Sequence, residues 1–291
     1  GDSKRPLYFL VASCLTNIAL DLLFVVCFHM EVAGAALATI MSQLLSAVLV
    51  MITLIRTKES YRFIPKELRV EPVLLKRIIK IGLPAGLQSM MYSISNILIQ
   101  ANINGYGTNT IASWAVYGKI DGIFWMTMDA MGISVTTFAG QNFGAGKYER
   151  VKKGTLQCLM MDIAAALLFS TLVLTFGQYM LKIFTSETEV IRLGVRVMRV
   201  ISPAYFIFAF IELLSGSLRA QGHVLVTTIM TMLGVCAFRV VWVLFIVPQG
   251  KLEQIVFCYP ATWTITAVGM IIYYIYKQRN IIKKYKNTLP A

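Results

Sequence analysis

Eight stretches of this chain run apolar for about the 20 residues that a helix needs to cross roughly 30 Å of hydrocarbon. They are 7–28, 33–55, 83–103, 111–139, 155–181, 200–218, 224–247 and 252–276. A backbone placed in lipid has no water to bond, and helix is the open structure that satisfies its own N–H and C=O groups. The expectation is an all-α integral membrane protein, a polytopic bundle of about eight transmembrane helices. With 57% hydrophobic and 14% charged residues, the chain has too few charges to cover that much apolar surface in water.

The formal net charge of +13 raises nucleic acid as an alternative partner, and the positions of the basic residues decide against it. An even number of spans puts both ends on one face. Over the termini and alternate loops that face carries twenty Lys and Arg, while the opposite loops carry five: Lys182, Arg192, Arg196, Arg199 and Lys251. By the positive-inside rule both termini are cytoplasmic, and the charge serves topology and contact with the lipid bilayer. Residues 71–81 read as a basic helix on that leaflet. Ser186, Glu187, Thr188 and Glu189 read as a capping box that opens an interfacial amphipathic helix bearing Arg192, Arg196 and Arg199 on one face.

Nothing in the sequence is arranged as an enzyme. There is no Walker loop, HExxH pair or nucleophile elbow, and His29 and His223 fall at opposite membrane edges. Cys14, Cys27, Cys158, Cys236 and Cys258 lie in or beside apolar spans without paired spacing, so neither a disulfide framework nor a metal site is expected.

The functional signal lies in polar groups within the spans, because a charge at the bilayer centre costs about 2.5–3.5 kcal/mol on insertion scales. Asp21, Asp121, Asp129, Asp162, Glu212, Lys119 and Arg239 are all so placed. Asp121 and Asp129 are near the midplane, eight residues apart with Trp125 between them, and so share a helix face. With Glu212, which follows the aromatic run around Tyr205 and Phe208, they are candidates for an ion-coupling site; hydrogen-bonded structural carboxyls are the alternative. Gln88, Tyr92, Asn96 and Gln100 recur at four-residue spacing, a polar stripe predicted to line a substrate cavity. Trp125 and Met128, with Met126 and Met131, would add an adaptable apolar wall suited to a cation. Gly118 and Gly122 are spaced for close helix approach, and Lys119 calls for a carboxylate from another helix. Asp21 and Arg239 match when 17–26 (NIALDLLFVV) is laid over 235–244 (VCAFRVVWVL). That weak parallel repeat assigns them to lobe packing or gating.

Two segments carry a family signal. GLPAGLQ at 82–88 opens the third span, and GQNFGAGKYERV at 140–151 closes the fourth, placing Gly140, Gln141, Gly144 and Gly146 ahead of Lys147 and Arg150. Together they resemble the multidrug and toxin extrusion (MATE) family. NIALD followed by VAGAALATIMSQ is similar to the fifth and sixth helices of that family's first lobe. SGSLRAQGH is similar to its LRGxG turn, with Ala220 in place of the glycine. The resemblance covers nearly the whole chain. It implies the last two helices of an N-terminal lobe at 1–55, a basic cytoplasmic linker at 56–82, a six-helix C-terminal lobe at 83–276 and a basic cytoplasmic tail at 277–291. Gly140, Gln141, Gly144 and Gly146 are then structural or gating residues. On that mapping four further N-terminal helices of the same protein are missing partners, and the chain is a fragment or truncated product.

What the resemblance implies for function is a secondary active exporter in the plasma (inner) membrane, with two lobes alternating access. Its substrates would be small amphipathic, cationic organic compounds, exchanged for a coupling ion, H+ or Na+, with no other cofactor. Sodium-coupled members carry a glutamate where Tyr92 falls, which counts against that ion site. A lipid-linked oligosaccharide flippase of similar architecture and an inactive transporter fragment are the alternatives.

Overall fold

The computed structural model describes residues 4–59, 61–246 and 252–286, and among them there are helices and turns but no strand. Lys251 and the end of the expected basic tail, 287–291, lie outside the described residues. The chain divides into two compact units, Gly1–Leu74 and Leu75–Ala291.

In the first unit, α1 (Lys4–Asp21) runs on into a π-helical turn (Leu22–Cys27), and α2 (Glu31–Arg56) returns beside it. The reversal uses His29 and Glu31 at φ of 52° and 48°. The buried residues of α2 are Gly34, Ala38 and Ser42, one small side chain per turn, which lets two helices approach without a large knob between them. Ser13 Oγ donates across the contact to the Ser42 carbonyl at 2.7 Å. Leu7, Leu15, Ile40, Leu44 and Val48 stay exposed on the outer faces, as suits a pair surrounded by lipid or further helices.

The longer unit is built on α3 (Pro72–Asn104), α4 (Thr108–Gly144) and α5 (Tyr148–Lys182). Pro72 suits the first helical position, where a fixed φ is pre-organised and no N–H is needed. Nothing from there to Asn104 caps or stops the helix, so residues 71–81 are not a separate leaflet helix; from Pro72 they run continuously into the span. Next, α6 (Thr188–Ile201) meets α7 (Tyr205–Ala220) at a short 3-10 turn containing Pro203. Then come α8 (Val224–Thr231), a π-helical stretch (Met232–Ala237), the single turn α9 (Phe238–Val241) and a second π-helical stretch (Trp242–Ile246). A short α10 (Leu252–Val256) leads to α11 (Cys258–Lys286).

Taken as continuous rods these elements make eight passes. Six are long and apolar enough on their own to cross a membrane. The other two, α3 and α4, have 33 and 37 residues but are diluted by the polar stripe and the midplane carboxylates.

Helix α7 is the centre of the unit, packed by α4, α5 and α11. Glycines set the α4–α7 separation: a Cβ on Gly216 would stand 2.7 Å from Thr136 Oγ1, and one on Gly132 would stand 2.6 Å from Glu212 Oε1. The pair expected to do this, Gly118 and Gly122, faces open space. The expected capping box does not form either. Glu187, not Ser186, is the N-cap of α6, and its own N–H donates to Thr185 Oγ1 at 3.2 Å. Rather than lying alone at an interface, α6 buries Val190, Ile191, Val197 and Met198 and packs on α4 and α5. Its arginines face away, Arg192 paired with Glu189 at 2.6 Å and Arg196 with Glu253 at 3.4 Å.

The glycine loop closes α4 by a Schellman motif. Gly146, at φ 71°, donates to the Phe143 carbonyl at 3.0 Å, and Lys147 donates to the Asn142 carbonyl at 2.8 Å. The same device ends α7, where Gly222 at φ 88° donates to Arg219 and His223 to Leu218. Gly140 and Gly144 are helical residues of α4, and the side chain of Gln141 is exposed. Only Gly146 of that group needs to be glycine for its backbone.

Candidate functional site

Within the Leu75–Ala291 unit, the helices line an open cavity of about 580 Å³. One wall is the polar stripe of α3, with Gln88, Tyr92, Asn96 and Gln100 all on its lining. Facing them, α4 presents Asp121, Trp125 and Asp129 from successive turns, and α7 presents Phe208 and Glu212. Arg239 and Tyr259 contribute from the two passes that follow.

Met128 is not part of this wall. It belongs to the buried stripe of α4 that includes Tyr117, Ile120, Phe124 and Val135, turned from the Asp121–Trp125 face toward the core, and is 1% exposed. Met126 points outward instead, 75% exposed. The apolar surface of the cavity is mainly aromatic, from Tyr92, Trp114, Trp125, Phe208 and Tyr259, with Ile211 beside them.

Asp121 is held by three donors. Tyr117 and Tyr205 donate their hydroxyls to Oδ1 at 3.0 and 2.5 Å, and Trp125 Nε1 donates to Oδ2 at 2.7 Å. A carboxylate, which only accepts, satisfies all of them at once. The rings behind are tightly packed: Phe124 stacks on Tyr205 with centroids 3.9 Å apart, and Trp125 meets Phe208 edge-on at 4.6 Å. Pairs of this kind contribute about 0.5–1.5 kcal/mol beyond area burial, so Asp121 is fixed by a rigid aromatic frame.

Glu212 accepts from Arg219 at 3.2 Å, seven residues on along α7. Its carboxyl occupies the space that Gly132 leaves open on α4. On the opposite wall, buried Arg239 donates to Asn96 Oδ1 at 3.0 Å and lies over the Tyr259 ring at 4.2 Å. Gln100 donates to Asn104 Oδ1 at 2.8 Å. Lys119 lies over the Phe184 ring at 5.1 Å, so a π face takes the place of the carboxylate expected for it.

Asp21 belongs to the first unit, at the end of α1 just before a π-helical turn, and is not on the cavity lining. Gly140, Gln141, Gly144 and Gly146 are likewise absent from that lining. Sequence reasoning missed Tyr117, Tyr205, Arg219 and Tyr259. Tyr117 was within reach, one turn before Asp121, but the other three depend on which helices become neighbours.

The MatE family model matches residues 84–244. The chain is 26% identical over 294 residues to "Probable multidrug resistance protein YoeA" of Bacillus subtilis (strain 168), which covers 97% of this chain and 64% of the relative. It is 31% identical over 239 residues to "Probable multidrug resistance protein YpnP" of the same organism, covering 82% of this chain and 53% of the relative. Among solved structures, one described as "Outward-facing conformation of a multidrug resistance MATE family transporter of the MOP superfamily" superposes with a TM-score of 0.88 at 18% identity, over 97% of this chain and 64% of that one. The chain therefore spans just over half to just under two thirds of the length of these relatives. With its long apolar helices, the match describes a multi-pass membrane protein.

Proposed function

This chain belongs to the MatE family, and from that premise we propose that it works in multidrug efflux as a secondary active exporter of amphipathic organic cations, driven by H+ or Na+ moving the other way. Relatives named as multidrug resistance proteins support the efflux part of this reading. The observation that carries the rest is the charge of the cavity: among the described residues, Asp121, Asp129 and Glu212 line one space with five aromatic residues, against one lining base, Arg239. A lipophilic cation gains both ring contact and charge compensation there, whereas an anionic lipid-linked sugar would meet three carboxylates.

In this reading the fixed Asp121 supplies standing negative charge for substrate or coupling ion, and Glu212 and Asp129 exchange the ion. Gln88, Tyr92, Asn96 and Gln100 orient the substrate by hydrogen bonds. Trp125 offers the ring face. The twenty-to-five division of basic residues favours an inner-membrane protein with both ends cytoplasmic. Since the relatives are longer, further helices of the same protein are proposed as partners that complete alternating access.

The test is export of a fluorescent lipophilic cation by the full-length protein in proteoliposomes, under an imposed pH or Na+ gradient. Asp129→Asn and Glu212→Gln should each abolish gradient-driven export while the protein still inserts and purifies as a single species. Parental export by both variants would refute the assignment. Transport of anionic lipid in place of the cation would favour the flippase.

A further inference from the structure

Asp162 does not line the cavity, yet it is the most enclosed carboxyl on α5. It is 0% exposed, and neither of its oxygens has a hydrogen-bond partner among the described residues. An ionised carboxylate so placed has lost its water and gained no donor, and the neutral acid avoids most of that cost.

The helix register shows what stands beside it. Phe169 of α5 stacks with Phe124 of α4 at 6.1 Å, and Gly154 of α5 lies against Phe138 of α4. The two helices are antiparallel, so midway between these contacts Asp162 lies level with Ala130 and Met131, one to two residues from Gly132. Gly132 is where Glu212 packs from α7. Thr155 Oγ1 and Ser217 Oγ, 2.8 Å apart, bring α7 against α5 as well. Asp162 and Glu212 thus lie near one level of the α4, α5 and α7 junction, without a direct hydrogen bond between them and close enough for the charge of Glu212 to act on Asp162. Asp129 from α4 and Arg219 from α7 act on Glu212, Cys158 is one turn away on α5, and Tyr274 of α11 sits lower, by Thr155 and Ser217.

We propose that Asp162 is an occluded proton site filled through Glu212. The proton leaves the carboxylic acid O–H of Glu212, which faces the cavity, and bonds to a carboxylate oxygen of Asp162. Glu212 becomes the anion and pairs with Arg219, while Asp162 becomes the neutral acid; the reverse step returns one proton, and no other bond changes. The structure has the arrangement that follows transfer, with Glu212 on Arg219 at 3.2 Å and Asp162 bare. This deepens the reading of Glu212 as an ion-coupling residue by giving its proton a place outside the cavity, so that substrate and proton need not occupy the same volume.

The test reads protonation directly. Full-length protein in detergent, labelled with 13C-carboxyl aspartate, should show an infrared C=O band of a protonated, weakly hydrogen-bonded acid at neutral pH. The label should shift that band, and Asp162→Asn should remove it. In Glu212→Gln the band should persist, while its exchange on transfer to D2O slows several-fold because the route through the cavity is cut. Absence of the band in the labelled parent, which needs no substitution, would overturn the proposal. So would its survival in Asp162→Asn or unchanged exchange in Glu212→Gln. Cation export by the same preparations is scored separately: bands that behave as expected beside unimpaired export leave the proton site standing and remove the coupling role of Glu212.

Discussion

Gly132→Ala puts a methyl group where the Glu212 carboxyl now lies. The new carbon would stand 2.6 Å from Oε1, 2.9 Å from Cγ and 3.2 Å from Cδ, against an ordinary carbon contact of about 3.5–4.0 Å. Helix α4 is held by a buried stripe from Thr110 to Ala139, so the glutamate must yield, by about 1 Å on that comparison of contacts. A shift of that size stretches the 3.2 Å contact with Arg219 toward the limit of an ion pair. Overpacking of this kind costs about 1–3 kcal/mol. The ion pair is about a quarter exposed, at 27% and 23%, and its loss adds about 1 kcal/mol, above the median for surface pairs and below that for buried ones. The expected total is about 2–4 kcal/mol on these terms, read as a lowered Tm of the purified protein by tryptophan fluorescence. Glu212→Asp removes the methylene that clashes, so in the Gly132→Ala background it should recover stability although it costs some alone. A coupling energy above about 0.5 kcal/mol in that double-mutant cycle supports the contact. Additive effects, or a Gly132→Ala protein as stable as its parent, would show that Gly132 does not seat Glu212.

Three further outcomes are expected. Gly146→Ala should destabilise by about 1–2 kcal/mol, because its φ of 71° is left-handed and Cβ is penalised there; Gly144→Ala, helical with open space around it, should be neutral or slightly stabilising, and equal losses in thermal melts would refute the cap. Arg239→Met should lower stability by about 1–3 kcal/mol by removing the charge-assisted bond from buried Arg239 to the more exposed Asn96, and Arg239→Lys should recover only part, since an ammonium cannot both stack on Tyr259 and present a planar fork to Asn96. In intact cells, an impermeant maleimide added outside should label Asn109→Cys and spare Lys147→Cys; the opposite pattern would invert the topology.

The rods and the polar stripe were readable from the sequence because both are periodic. Apolar runs of membrane length appear in any window, and Gln88, Tyr92, Asn96 and Gln100 return every four residues wherever the helix is placed. The face shared by Asp121, Trp125 and Asp129 follows from the same arithmetic. Met128 shows where that arithmetic stops: proximity in sequence to Trp125 does not fix which side of the face a residue takes when a stronger buried stripe claims it. Tyr205 and Arg219 show a second limit, since Tyr205 is 84 residues from Asp121 and Arg219 acquires meaning only because Gly132 directs Glu212. Gly118 and Gly122 had the spacing of a close approach, but among the described residues nothing comes within 4 Å of a Cβ at either. The helix that does approach, α7, uses Gly132 and Gly216.

The two π-helical stretches lie either side of α9, which carries Arg239, and another follows Asp21 directly. A π turn holds one residue more than the α turn it replaces. Were Met232–Ala237 to relax to α geometry, everything beyond it would rotate by about 100° and slide by about 1.5 Å, taking the guanidinium off Asn96 and Tyr259 with no bend of the helix axis. The seventh pass thus holds a spare residue upstream of Arg239, so the placement of that guanidinium against Asn96 and Tyr259 depends on the π turn being kept.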